Sequence, residues 1–272
     1  MKTRNLSALR FAALGGCAAL LLATVPAAAQ DSTGRGWTVT VGAGAQAYPK
    51  YPGASDYTVF PMPIFGLRRQ GAPMPFVSQD DGIGTGLLGQ DSVVNFGPAF
   101  SVEGRRRERD VGAAVGDVPF TIEAGGFVQI TPVRNFRLRA ELRQGLGGHR
   151  GLVGDIGADI VLRDRDTYIF AIGPRARWGD RDFNRAYFGV TPAVATATAL
   201  PAFTPSSGFY AAGGMANLTY KLGRNWGMRS YFRYDRLIND AAQSPIVRRY
   251  GSRDQFSGGA GLFIEFNVGG GR

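Results

Sequence analysis

Asn135–Gly145 reads NFRLRAELRQG, and its alternation decides the fold class. Phe136, Leu138, Ala140 and Leu142 fall on one face of an extended chain, and Arg137, Arg139, Glu141 and Arg143 on the other. Only a β-strand sends successive side chains to opposite faces. The pattern recurs downstream. Leu152, Ile156, Ala158, Ile160 and Leu162 oppose Asp155, Asp159 and Arg163. Tyr168, Phe170, Ile172, Ala176 and Trp178 oppose Arg175 and Arg177. Trp226, Met228, Phe232 and Tyr234 oppose Arg229, Arg233 and Asp235. Phe256, Ala260, Leu262, Ile264 and Phe266 oppose Ser257 and Glu265. These segments run about ten residues, the length of a tilted strand crossing a bilayer. Aromatics sit near their ends (Trp37, Tyr168, Trp178, Trp226, Tyr234, Phe256, Phe266), as girdles at two membrane interfaces require. Slipping 135–145 by one residue would turn Arg137, Arg139 and Arg143 toward lipid, a cost of roughly 6–12 kcal/mol.

Working outward, strands are predicted at 37–48, 57–68, 82–88, 93–104, 118–131, 135–145, 151–163, 167–178, 185–192, 209–222, 225–237 and 255–266. That is a closed, all-β, antiparallel transmembrane barrel of about twelve strands. The weakest segments are 82–88 and 185–192, and without both the count is about ten, still even. Pro98 and Pro174 each remove a ladder hydrogen bond and belong at bulges or rims. The uncharged stretch between Arg185 and Lys221 contains Pro192, Pro201 and Pro205, which exclude a spanning helix, so it reads as a strand followed by an ordered apolar loop.

Composition agrees. Glycine is 40 of 272 residues, too many for a helical bundle, and 44% apolar content is too high for a disordered chain. Lys2, Arg4 and Arg10 precede the apolar run 11–23 and the small residues Ala27 and Ala29, the pattern of a cleaved secretory signal over 1–29. The mature domain is then 30–272. Cys17 follows Leu14-Gly15-Gly16, which is similar to a lipidation site, but the apolar run continues beyond it, favouring removal with the signal. The net charge of +10 falls to +7 once Lys2, Arg4 and Arg10 leave. No nucleic-acid partner is expected, because the remaining basic residues alternate on one strand face and secretion would remove the chain from the nucleoid.

Specific residues carry a family resemblance. Tyr48-Pro49-Lys50-Tyr51-Pro52-Gly53-Ala54-Ser55-Asp56-Tyr57 with Pro61-Met62-Pro63, then Tyr187-Phe188-Gly189-Val190-Thr191-Pro192 and Leu200-Pro201-Ala202-Phe203, then the block from Tyr234 through Leu237, Asp240, Ser244, Pro245 and Val247 with Gln255-Phe256, resemble the MltA-interacting protein (MipA)/OmpV family of outer-membrane proteins. The resemblance implies a Gram-negative outer-membrane barrel in contact with lipid and lipopolysaccharide and inserted by the barrel assembly machinery. It further implies a scaffold linking a murein lytic transglycosylase to a bifunctional peptidoglycan synthase, with Tyr51, Gly53, Asp56, Tyr57, Tyr187, Pro192, Tyr234, Leu237, Asp240, Ser244 and Pro245 as candidate partner contacts. Other members are associated with adhesion and osmotic response, so a small-solute channel and an adhesin acting through loops such as 241–254 are the alternatives. Barrels of this kind usually end on an aromatic; here Phe266 would serve and the tail beyond it would be loose.

No catalytic residue, cofactor or metal site is expected. The single histidine, His149, lies in a glycine-rich turn, and one cysteine cannot build a thiolate cluster. Gly84-Thr85-Gly86-Leu87-Leu88-Gly89 matches GxGxxG, but no helical period follows it, so it reads as strand and turn. Arg105-Arg106-Arg107-Glu108-Arg109-Asp110 reads as a solvated loop, with a contact to an anionic surface as the sharper alternative. The charges facing the lumen are Glu103, Glu123, Glu141, Asp155, Asp159 and Glu265 against Arg137, Arg139, Arg143, Arg175, Arg177, Arg229 and Arg233. Such a balance predicts cross-barrel ion pairs filling a narrow lumen.

Overall fold

The computed structural model describes residues 36–88, 92–165 and 167–269. The segment 1–29 expected to be a cleaved signal, with Cys17, and Gly89 and the tail Gly270–Arg272 lie outside the described residues. Ten antiparallel strands form one curled sheet. They are β1 (Trp37–Pro49), β2 (Tyr57–Arg69), β3 (Val94–Glu103), β4 (Thr121–Val133), β5 (Phe136–Gly147), β6 (Leu152–Asp164), β7 (Tyr168–Gly179), β8 (Gly208–Lys221), β9 (Trp226–Leu237) and β10 (Asp254–Val268), with a single-turn helix α1 (Glu108–Val111) between β3 and β4. Each strand from β3 to β10 pairs with the next, β10 pairs with β1, and β1 with β2. Among the described residues no ladder joins β2 to β3, so the expected closure is not made by backbone pairing.

Both weak strands of the twelve are absent, leaving the even count of ten. The segment 185–192 is instead part of a helix, α2 (Arg181–Phe188), and of the turn after it. Asp180 caps it by accepting from the Phe183 N–H at 2.9 Å. Phe183, Asn184, Tyr187 and Phe188 then bury one helical face. Pro192 opens a second helix, α3 (Pro192–Thr198), where its fixed φ and missing N–H do no harm. The 82–88 segment runs irregularly along the free edge of β3. Ile83 and Phe100 exchange backbone hydrogen bonds at 2.7 and 2.9 Å, and the Leu87 N–H donates to Phe96. The glycine at 84 follows from that approach, since a Cβ there would meet the Pro98 carbonyl oxygen at 2.0 Å. Pro98 therefore sits in an edge strand rather than at a bulge or rim. Pro174 falls where the β6–β7 pairing is interrupted between Gly157–Arg175 and Ile160–Ile172.

The alternation holds as read. On β5, Leu138 and Leu142 are 39% and 51% exposed, while Arg137, Glu141 and Arg143 are 4–6% exposed. Ile156, Ile160, Leu162, Ile172, Phe232, Leu262 and Ile264 also face outward. A water-soluble sheet buries its apolar face; this one exposes it and buries its charges. β10 continues past Phe266 to Val268.

The two ends of the sheet differ. Short turns at 134–135, 165–167 and 222–225 share one end with both chain termini of the sheet. The opposite end carries the longer connections 50–56, 104–120, 180–207 and 238–253. Because 185–192 is helical, 104–117 lies at the same end as 238–253.

Candidate functional site: the packed lumen and its cap

The connection between β2 and β3 starts and ends at the turn end, yet its middle runs inside the curl of the sheet. Arg68 donates to the Ala72 carbonyl, and Arg163 Nη2 to the Met74 carbonyl at 3.0 Å. Met74 then joins a buried apolar cluster with Met62 and Ile64 of β2, Val161 of β6, Ile169 and Ala171 of β7 and Phe263 of β10. Strands on opposite sides of the sheet thus pack on one another through this inner segment.

Further along, the segment meets the lumen charges. Asp80 Oδ2 accepts from Arg175 Nε at 2.7 Å and from Arg233 Nη1 at 3.0 Å. Asp81 Oδ2 lies 2.6 Å from Arg137 Nη1. Ser78 Oγ accepts from Arg175 Nη2 and Asn217 Nδ2 at 3.1 and 3.0 Å, and the Gly82 N–H donates to Glu141 Oε1 at 3.0 Å. The Phe76 ring lies 4.6 Å from the Arg137 guanidinium. Sequence reading missed Asp80 and Asp81 as lumen groups. Their signal was two adjacent carboxylates beside a stretch whose Ile83 and Leu87 face outward.

Of the charges read as facing the lumen, all but Glu103 and Arg229 pair, though along one strand or between near-neighbour strands rather than across the barrel. Asp159 bridges Arg137 at 2.6 Å and Arg175 at 2.8 Å. Arg143 reaches Glu123, Glu141 and Asp155, and Arg139 pairs with Glu141 at 2.6 Å. Arg177 Nε lies 3.0 Å from Asp155, and Arg233 Nε lies 2.6 Å from Asp235. Glu265 takes Arg68 and Lys221 at 3.2 and 2.6 Å, two cations absent from the sequence reading. Glu103 and Arg229 make no ion pair or hydrogen bond among the described residues. Buried charges are tolerated when paired and hydrogen-bonded, and this network meets that condition almost throughout.

At the loop end a second core closes the lumen. It joins Tyr51, Phe183, Tyr187, Phe188, Tyr210, Leu237, Ile246 and Val247. Two further helices contribute, α4 (Asn239–Gln243) and α5 (Pro245–Tyr250). The Gly53 N–H donates to Gln255 Oε1 at 3.0 Å, while Gln255 Nε2 donates to the Ala54 carbonyl at 3.0 Å. Gly53 has φ +93°, a conformation open to glycine. Ser244 Oγ donates to the Phe188 carbonyl at 2.7 Å, and the Ser206 N–H donates to Asp240 at 2.7 Å. Tyr234 donates to Asp254 at 2.7 Å, and the Tyr57 hydroxyl accepts from the Phe256 N–H at 3.3 Å. Of the family-motif residues, Tyr51, Gly53, Tyr187, Leu237 and Ser244 are buried in the cap, and Asp56, Tyr57 and Pro192 are exposed. Pro245, half-buried, opens α5.

Two further readings change. His149 lies in the turn after β5, as read, but it is buried there: it is 3% exposed, hydrogen-bonded through Nε2 to Glu123 at 3.1 Å and packed edge-on against Phe183 at 5.1 Å. Its Nδ1 accepts from the Gly151 N–H, so Nε2 is the protonated nitrogen that donates to Glu123. Within the basic run, Arg106 is buried and donates to the carbonyls of Tyr187 and Gly116, both at 3.0 Å. Arg105 and Arg109 are exposed. Burial lowers the pKa of the Arg106 guanidinium and raises those of the Tyr51 and Tyr187 hydroxyls. No grouping of three or more metal-ligating side chains occurs among the described residues.

The fold defines an antiparallel, up-and-down β-sheet of barrel type with an apolar exterior and a filled, charged interior. The chain belongs to the family of the MltA-interacting protein MipA, whose model matches residues 41–266. No curated protein sequence matches it. Among solved structures it is similar to a TodX deltaS2S3 mutant, a monoaromatic hydrocarbon channel, at 8% identity and TM-score 0.33, covering 87% of this chain and 90% of that one. It is also similar to the outer membrane protein OprG from Pseudomonas aeruginosa at 7% identity and TM-score 0.23, covering 86% and 98%. A Pseudomonas aeruginosa FadL homologue follows at 10% identity and TM-score 0.25, covering 86% and 89%. These are remote likenesses, and the family assignment stands on the sequence match.

Proposed function

We propose that this chain, after removal of residues 1–29, is a non-enzymatic outer-membrane β-barrel that serves as a scaffold at the cell wall. It holds a murein lytic transglycosylase and a bifunctional peptidoglycan synthase together. The observation that carries the reading is the filled lumen. An inner segment, an apolar cluster, an ion-pair network and an aromatic cap occupy the space a diffusive pore needs. What remains for function is the rims. In this reading the turn end faces the periplasm, as short turns do in bacterial barrels. It presents Arg69, Arg134, Arg165 and Arg224, all exposed, which suit an acidic partner surface. The family name supports the transglycosylase as one partner.

Affinity purification from detergent extract tests this. Both murein enzymes co-purify with the wild-type chain, and Arg134→Glu with Arg165→Glu and Arg224→Glu lowers their recovery. Recovery of neither enzyme rejects the scaffold. The channel alternative predicts stable, large, anion-selective steps in planar bilayers, which the filled lumen does not support.

A further inference from the structure

We infer that the loop end of the lumen contains a binding chamber for a small zwitterion, with Arg177 taking its carboxylate and Glu103 its ammonium group. This goes beyond the scaffold reading and does not depend on it. The chamber has a volume of ≈ 120 Å³ and is lined by Tyr48, Tyr51, Glu103, Arg177, Tyr210 and Asp235, among others. Its walls come from β1, β3, β7, β8, β9 and β10 and from the 50–56 connection, so residues far apart in sequence converge on one space.

Three features of the lining ask for a ligand. Glu103 is a lumen carboxylate with no ion pair or hydrogen bond among the described residues. Glu123, Glu141, Asp155, Asp159 and Asp235 each hold an arginine, whereas Glu103 feels Arg177 and Glu123 only through space. A carboxylate drawn from water without a partner is costly. Arg177 spends its Nε on Asp155 and lies 5.5 Å from the Tyr210 ring, and its two terminal nitrogens make no hydrogen bond among the described residues. The hydroxyls of Tyr51 and Tyr210, each side chain 3% exposed, have no partner among the described residues, nor does that of Tyr48. The chamber thus offers one free cationic fork, one free carboxylate and three free hydroxyls.

Charge and size narrow the ligand. A lone anion would face Glu103 and Asp235, and a lone cation would face Arg177. A molecule carrying both charges at opposite ends satisfies both walls. A cavity of about 150 Å³ accepts benzene, so the space here fits roughly five or six non-hydrogen atoms. Glycine and alanine have that size and charge pattern.

Saturation-transfer NMR on the detergent-purified full chain tests the chamber. The probes are glycine, L-alanine and D-alanine, with acetate and methylammonium as single-charge halves. The amino acids give transfer, the halves bind about tenfold more weakly or worse, and Glu103→Gln weakens glycine by about tenfold or more. Tyr48→Phe, which keeps the ring and removes one hydroxyl, weakens glycine severalfold and serves if Glu103→Gln does not fold. The inference is overturned if no amino acid gives transfer, which would mean the chamber holds water alone. It is also overturned if acetate or methylammonium binds as well as glycine, or if the folded variants bind glycine like the wild type.

Discussion

Strand β5 and the inner segment 72–82 touch through Arg137 and Asp81, yet they are held in different ways. β5 has a ladder on each side, to β4 and β6, and its charged face is buried as a consequence of strand geometry. The inner segment pairs with no strand until it reaches β3. It depends on Asp80, Asp81, Ser78 and the carbonyls of Ala72 and Met74 meeting arginines that the wall already presents. The wall is a backbone structure with charges attached, whereas the inner segment is a charge-held structure with little backbone order. The first should resist changes in its charges until the ladder fails, and the second should fail locally and early.

The largest effect is expected at Asp159, whose carboxylate is shared by Arg137 and Arg175. Asp159→Ala leaves two buried guanidinium groups without their common partner and should cost about 3–5 kcal/mol in urea unfolding from liposomes. A loss below about 1 kcal/mol would mean water reaches the network freely. Next is Leu142→Arg, on the outward face of β5. If that face meets hydrocarbon, the barrel should lose about 2–4 kcal/mol in the same unfolding measurement. Third, Asp80→Ala should free the inner segment while the wall stays folded. Loss of its charged hydrogen bonds, about 1.5–3 kcal/mol, should raise protease cleavage between residues 72 and 88 by more than tenfold, with brief conductance steps in bilayers. Cleavage unchanged from wild type would show that the apolar cluster around Met74 holds the segment without charge. The smallest effect is expected at the cap, where Asp180→Ala removes the α2 N-cap and should cost about 1 kcal/mol in thermal unfolding.

The same contrast explains what the sequence revealed. Phe136–Arg143 was legible because a two-faced wall forces period 2 on every residue, and the burial of Arg137, Glu141 and Arg143 follows from parity alone. The inner segment obeys no period. Asp80-Asp81 beside a glycine-rich stretch reads as an ordinary loop, since its order comes from Arg137, Arg175 and Arg233, each on a different strand. The helix at 181–188 carried a local signal that the strand reading overlooked: an Asp180 cap followed by apolar residues at 183, 187 and 188. For the family motifs, the recognisable residues Tyr51, Tyr187, Leu237 and Ser244 build the inside of the cap, a placement that needs the whole loop end assembled.

The central claim is that the exposed apolar face meets hydrocarbon and the charged face is shut away from water. Spin labels placed singly along β5 in proteoliposomes, from Phe136→Cys to Arg143→Cys, test it most directly. The predicted result is oxygen accessibility that peaks at 138, 140 and 142, with a water-soluble relaxation agent excluded from all eight positions. High accessibility of 138 and 142 to the water-soluble agent would contradict the account.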